Sequence, residues 1–248
     1  MLFCFFFRRY VIFLLLFGLS PLALADKSNS KEMVCLTTHY PPYTIYRDRQ
    51  RDFVGRDMVY LNQLASRFNW KLTVLNVPWA RVKREIEKDQ FDCFFSLAYQ
   101  EQRAKYLSYT QHPLHVTKYG VFFQKHNVSI KQKQLAKKII GVQRGIPLTI
   151  DVLKNHQLDR ARIVYLDSNE TLLSIIMTGR VDASVLNYDV GHFLLQDSPF
   201  KSEIGSFVID DYDLPVFLAF RKGTQDIKLI NTVLGQVMAD SQIAKPLQ

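Results

Sequence analysis

The strongest constraint on the fold is a phrase that the chain uses twice. Residues 86–95 read IEKDQFDCFF and residues 176–185 read IMTGRVDASV. In each, an apolar residue closes a helical segment, a short polar turn follows, and an aspartate (Asp92, Asp182) opens an apolar strand. The elements before each phrase alternate in the same way. EMVCLTTH reads as a strand and YPPYTIY as a proline-stiffened loop. DMVYLNQLASRFNW places Met58, Leu61, Leu64, Ala65 and Phe68 at helical spacing, with Asp57 the expected N-cap after Gly55. KLTVLNV (strand), WARVKREIEKD (helix) and FDCFFSLA (strand) complete a β-α-β-α-β run. The second half repeats it. KIIGVQRG, RIVYLD and RVDASVLN are strands, PLTIDVLKNHQ is a helix with Pro147 near its first turn, and SNETLLSIIMTG is a helix capped by Ser168 or Asn169. VFLAFRK and IKLINTVLGQVMA add a late strand and a closing helix. Two such runs predict two α/β lobes, each a mostly parallel sheet flanked by helices. Asp92 and Asp182 are best read as structural, each bonding backbone at its turn.

The first residues stand apart. Arg8 and Arg9 precede an apolar run from Val11 to Leu19, and Ala23 and Ala25 stand in the A-x-A arrangement. This predicts a secretory leader over 1–25, cut after Ala25. The alternative is an uncleaved anchor, but the run is well short of the ~20 residues a spanning helix needs. The chain is therefore expected to be exported. The formal net charge is +9, and the excess beyond the leader falls on 26–120 and 214–248. Solubility is a sufficient explanation of it, since no nucleic-acid motif is present. Cys35 and Cys93 fall in strand-like runs and would meet an oxidising compartment. They form a disulfide if their strands are neighbours; otherwise they are buried free thiols, because side chains on adjacent strands rarely meet the required torsion.

No catalytic signature appears: there is no G-x-S-x-G, H-E-x-x-H or glycine-rich phosphate loop. His112 and His115 flank a loop proline and lack a third ligand, so no metal or other cofactor is expected. What remains is recognition chemistry. In parallel α/β sheets, ligands sit beyond the carboxyl ends of strands. Those ends carry Ser96, Leu97 and Ala98 in one half and Asn187 in the other, with Arg144 in the GVQRG turn. Arg103 follows its strand closely and can hold a carboxylate bidentately; its plainer role is an ion pair with Glu101 or a neighbour. Tyr40, Tyr43 and Trp79 follow strands and can wall a pocket with flat faces, or simply pack.

The phrases YPPYT (40–44), VGRDMVYLNQLA (54–65), VPWARV (77–82), FDCFFSLAYQEQRAKYLSYTQHPL (91–114), IGVQRG (140–145) and TGRVDASVLN (178–187) occur in an order that resembles bacterial extracellular solute-binding proteins of family 3, in a divergent branch with a PWxR motif. The resemblance implies the type II periplasmic binding fold, with two lobes joined by two hinge crossovers. Lobe 1 would be discontinuous, 26–120 plus 214–248, and lobe 2 would span 121–213. It implies that Arg103 grips a ligand carboxylate, that Tyr40 and Trp79 line the pocket, and that Ser96 and Ala98 lie in the ligand-bonding segment. Asn187 and Ile146 depart from the family pattern, where an aspartate and a hydroxyl residue are usual. That points away from an ordinary α-amino acid.

The expected function is non-catalytic. A small polar or anionic solute, an amino acid or related acid, is captured between closing lobes and handed to the membrane permease of an ABC importer. The protein would act as a monomer. The alternatives are a sensory or partner-binding module on the same fold, and a periplasmic enzyme such as a dehydratase.

Overall fold

Apolar runs and helical segments fold in the order the sequence writes them. The computed structural model describes residues 30–146, 148, 150–223 and 225–243. The expected leader lies outside them, as does Pro147. Strand β1 (Lys31–Thr37) leads to a hairpin, β2 (Ile45–Arg47) and β3 (Asp52–Val54). Then come α1 (Arg56–Phe68), β4 (Trp70–Asn76), α2 (Trp79–Glu87), β5 (Cys93–Ala98), α3 (Glu101–Ala104) and β6 (Leu107–Tyr109). β7 (His115–Gln124) crosses to α4 (Val128–Lys131), β8 (Ile139–Gln143), α5 (Ile150–Asn155), β9 (Arg162–Leu166), α6 (Asn169–Met177), β10 (Ala183–Asn187) and α7 (Tyr188–Gln196). β11 (Ile204–Arg221) returns, and α8 (Ile227–Ile243) packs back beside α1.

The sheet order is β4-β1-β5-β11-β7-β10-β8-β9, with β6 also on β11. β4, β1 and β5 are parallel, as are β10, β8 and β9. Between these two parallel units run β7 and β11, antiparallel to each other and to their outer neighbours. β11 pairs with β7 over Ile204–Val208 and again over Asp213–Val216, then leaves to pair with β5 and β6. The hydrophobic cores follow this division. One side buries Met33, Leu36, Leu61, Leu64, Ile86, Phe94, Phe95, Phe220 and Leu234. The other buries Val121, Phe122, Ile140, Val142, Leu172, Ile176 and Val185. Apolar area removed from water contributes roughly 25 cal/mol per Å², so each side carries its own stabilisation. This is the two-lobed α/β architecture.

The twice-used phrase is the same event in both lobes. Asp92 Oδ2 accepts from the Val34 amide at 2.8 Å, and the Asp92 amide donates back to the Val34 carbonyl at 2.9 Å. Asp182 Oδ2 accepts from the Ile139 amide at 2.7 Å, and its own amide donates to the Ile139 carbonyl at 2.8 Å. Each aspartate thus sets the register of the new strand against the lobe's first strand. Ile86 and Ile176, both 1 % exposed, anchor the preceding helices.

Three local expectations need correction. Gly55, not Asp57, occupies the N-cap of α1. Its φ of 123° belongs to glycine, and a Cβ there would meet the Tyr43 carbonyl oxygen at 2.4 Å. Asp57 lies inside the first turn, 1 % exposed. The late strand begins at Ile204 rather than near Val216, because the polar run Asp210–Asp213 and Pro215 conceal a strand that pairs along β7. The β2–β3 hairpin, three residues a side, falls inside what reads as loop.

Candidate functional site

The site forms where the carboxyl ends of the two parallel units meet across β7 and β11. Thr38 and Tyr40 follow β1, Trp79 opens α2, and Ser96 and Ala98 end β5. Gln143 ends β8, Ile146 lies just beyond it, and Asn187 ends β10. Tyr119 from β7 and Leu214 and Val216 from β11 form the back. Together they enclose about 490 Å³ of empty space, counting the open mouth. None of these lining residues is acidic, basic or a histidine.

Each polar group is placed by its element. Ser96 has a left-handed backbone, φ 55°, at the point where β5 and β11 slip register between Phe217 and Ala219. A bulge beside a site re-aims the chain there. Its hydroxyl donates to Asp57 Oδ2 at 2.6 Å, and His115 Nδ1 lies 3.0 Å from Asp57 Oδ1. Both partners of Asp57 lie far from it in sequence, so one buried carboxylate ties α1, β5 and β7 together. His115 in turn stacks on the Tyr43 ring, centroids 3.4 Å apart and planes within 1°. The Tyr40–Thr44 turn, closed by paired Tyr40 and Thr44 backbone and containing a cis Pro41–Pro42 peptide, holds both tyrosines. Asn187 caps α7: its Oδ1 accepts from the Val190 amide at 2.9 Å. Its Nδ2 is buried and makes no hydrogen bond among the described residues.

Arg103, 6 % exposed, does not line this pocket; it lines a separate cavity with Ile86, Glu87, Gln100, Gln102 and Tyr106. Its Nη1 donates to the Ala98 carbonyl at 3.0 Å, and its guanidinium sits 5.5 Å from the Trp79 ring centre. Its Nε finds no hydrogen-bond partner, and no acidic side chain pairs with it among the described residues. Burial lowers its pKa and raises those of Tyr40 and Tyr119. Tyr43 is pushed up by burial and by its hydrogen bond to Asp189, so its hydroxyl remains a donor at neutral pH.

Contacts cross between the two lobes around this pocket. The Tyr43 hydroxyl donates to Asp189 Oδ2 on α7. Trp79 Nε1 donates to the Gly145 carbonyl at 3.1 Å. His39 Nε2 lies 3.6 Å from Glu170 on α6.

Of the residues read from sequence, Tyr40, Trp79, Ser96, Ala98 and Asn187 line this one pocket. Tyr43 stands beside it as a bridge. Leu97 packs into a core instead, and Arg144 lies exposed, paired with Asp167 at 2.9 Å. Cys35 and Cys93 face each other across β1 and β5, Cα atoms 4.5 Å apart, and are joined as a disulfide. Sequence reasoning missed Thr38, Tyr119, Gln143, Leu214 and Val216, and the Asp57–His115 support. Three of these line the pocket from the crossover strands, which carry no local signature.

The sequence matches the family model for bacterial extracellular solute-binding proteins, family 3, over residues 33–248. Among curated proteins no sequence match is found. Solved structures share the fold. The substrate-binding protein of an amino acid ABC transporter aligns at 17% identity over 85% of this chain and 95% of its own, TM-score 0.72. The amino acid ABC transporter substrate-binding protein AbpA from Streptococcus pneumoniae, bound to L-arginine, aligns at 19% identity over 88% and 92%, TM-score 0.70. An ancestral amino-acid-binding protein, a precursor of cyclohexadienyl dehydratase, aligns at 20% identity over 85% and 90%, TM-score 0.70.

Proposed function

The chain belongs to the bacterial extracellular solute-binding proteins, family 3, and on that premise we propose that it captures a small polar or anionic solute in the periplasm for an ABC importer. A leader over 1–25 exports it. Residues 26–120 with 214–248 form one lobe and 121–213 the other, closing about β7 and β11 as a hinge. The observation that carries this reading is the pocket itself. It is built from strand ends of both lobes, and it presents the buried Asn187 amide nitrogen, which makes no hydrogen bond among the described residues.

Closure explains the chemistry. With the lobes apart, Asn187 and Trp79 are open to water and to solute. With a solute between them, the contacts from Tyr43 to Asp189 and from Trp79 to Gly145 form across it. Water is excluded, and hydrogen bonds to the solute strengthen as the local dielectric falls. The closed shape is then the one a membrane permease reads. An acid–base enzyme has less support, because among the described residues no carboxylate or histidine lines the pocket, and Asp57 and Asp189 already accept from Ser96 and Tyr43.

The test is a thermal-shift panel on the exported protein, covering L-amino acids, dicarboxylates, polyamines and small aromatic acids. A solute at 100 times its dissociation constant stabilises the fold by ~2.7 kcal/mol. At least one hit is expected, weakened in Arg103→Ala. Silence across the panel would count against solute capture and favour a sensory or partner-binding role.

A further inference from the structure

We infer that the lobe built on β8, β9 and β10 carries a docking surface for anionic lipid headgroups at the pole remote from the cleft. The inference does not depend on what the cleft binds. Residues 121–213 hold eleven basic and eleven acidic residues, so by sequence this part of the chain is neutral. The topology separates the signs. β8, β9 and β10 are parallel and β7 is antiparallel to β10, so the carboxyl end of β7 and the amino ends of the other three share one pole. β11 enters there too, with Ile204 opposite Gln124. The segments at that pole, 125–138, 156–162, 178–182 and 197–203, carry nine of the eleven basic residues and only four of the acidic ones. The cleft end of the same strands carries Asp167, Glu170 and Asp189.

Hydrogen bonds join these segments into one surface. The Lys137 amide donates to the Arg160 carbonyl at 2.9 Å, and the Arg162 amide to the Lys138 carbonyl at 2.8 Å. Lys131, Lys137, Lys138, Arg160, Arg162 and Arg180 make no ion pair among the described residues. None of them lines the cleft pocket, so solute capture does not use them. Like charges crowded in this way repel, and a negatively charged surface relieves the repulsion. The side chains favour lipid. Six of the nine are lysines, flexible point charges rather than the rigid forks that grip one phosphate in a carved site. No exposed Tyr, Trp or Phe, the usual anchors of a protein interface, stands among them in the described residues. Val128, 62 % exposed, sits three residues before Lys131 on α4 and so on the same face. There it can enter the headgroup layer while the lysines meet phosphates.

The test is co-sedimentation of the exported protein with vesicles of phosphatidylglycerol and phosphatidylcholine in equal parts, against phosphatidylcholine alone. One variant combines Lys131→Glu, Lys137→Glu and Arg160→Glu. A control of identical net charge combines Arg49→Glu, Arg51→Glu and Lys105→Glu, which are exposed on the other lobe. Each basic residue near an anionic lipid surface strengthens binding by roughly fivefold. The expected result is binding to the mixed vesicles that weakens with salt, falls at least about tenfold in the first variant and stays within about threefold in the control. Should the first variant melt early, the triple glutamine variant at the same positions is read instead, with a loss of about fivefold or more expected. Equal binding to phosphatidylcholine alone, no binding to the mixed vesicles at low salt, or an equal loss in the control overturns the inference. So does tighter binding of polyglutamate with the same variant pattern, which would assign the surface to an acidic protein.

Discussion

Tyr43→Phe separates closure from folding. Tyr43 is 2 % exposed, and its hydroxyl donates across the cleft to Asp189. Phenylalanine keeps the ring and its stack on His115, centroids 3.4 Å apart. Only the cross-lobe hydrogen bond is lost. Hydrogen bonds to charged groups contribute ~1.5–3 kcal/mol. Asp189 is an exposed residue and can rehydrate, which places the loss at or just below the lower end of that range, ~1–2 kcal/mol. On the proposed closure the bond forms only when the lobes meet, so this cost falls on the bound state. Solute affinity should drop by a factor of about 5–30. Calorimetric titration with the panel's best solute measures it, and unfolding of the solute-free variant provides the control. An affinity within twofold of wild type would show that the contact contributes nothing to closure. A solute-free stability loss above about 2 kcal/mol would show instead that Tyr43 supports the fold of its own lobe.

Other outcomes follow from the same geometry. Asp57→Ala leaves the Ser96 hydroxyl and His115 Nδ1 without their shared partner. Breaking such a buried pair costs ~3–5 kcal/mol, a melting-point drop of roughly 6–20 °C by calorimetry. Replacing both Cys35 and Cys93 by alanine removes a bridge spanning 58 residues. The expected loss is ~2–4 kcal/mol in denaturant unfolding, and a loss near zero would contradict a formed bridge. Burial raises the pKa values of Tyr40, Tyr43 and Tyr119, and brings Tyr109 up to about 12. A group raised in the folded state stabilises fully below its unfolded pKa, here 10.0, and loses that contribution as pH climbs through the folded value. Denaturant unfolding should therefore show tyrosine-linked stability that is constant up to pH ~10 and falls above it.

Much of the scaffold was legible because local pattern and tertiary demand agree. Leu61, Leu64 and Ala65 face inward at helical spacing, and Ser168 caps its helix by accepting from the Thr171 amide. Asp92 and Asp182 do bond backbone, as their place before a strand suggests, but the amides they accept from, Val34 and Ile139, lie on the neighbouring strand, 58 and 43 residues away, and not at their own turn. Asp57 misled because its partners are equally distant. Its bonds go to Ser96 and His115, 39 and 58 residues away, and helix-start chemistry is the nearer local explanation. The start of β11 is hidden in the sequence because its pairing with β7 is interrupted between Val208 and Asp213, where a polar run breaks the strand pattern. The disulfide stayed undecided in sequence because it depends on β1 and β5 being neighbours in register. The pocket shows the same limit. Residues at strand ends could be named, but Tyr119, Leu214 and Val216 join them only through the crossing of β7 and β11.

Hydrogen–deuterium exchange of the protein with and without its tightest-binding panel solute tests capture between two lobes most directly. The account predicts added protection on both sides of the cleft at once, in 40–44 and 96–98 of one lobe and in 143–146 and 187–190 of the other. Protection confined to one lobe, or to a surface away from these segments, would contradict it.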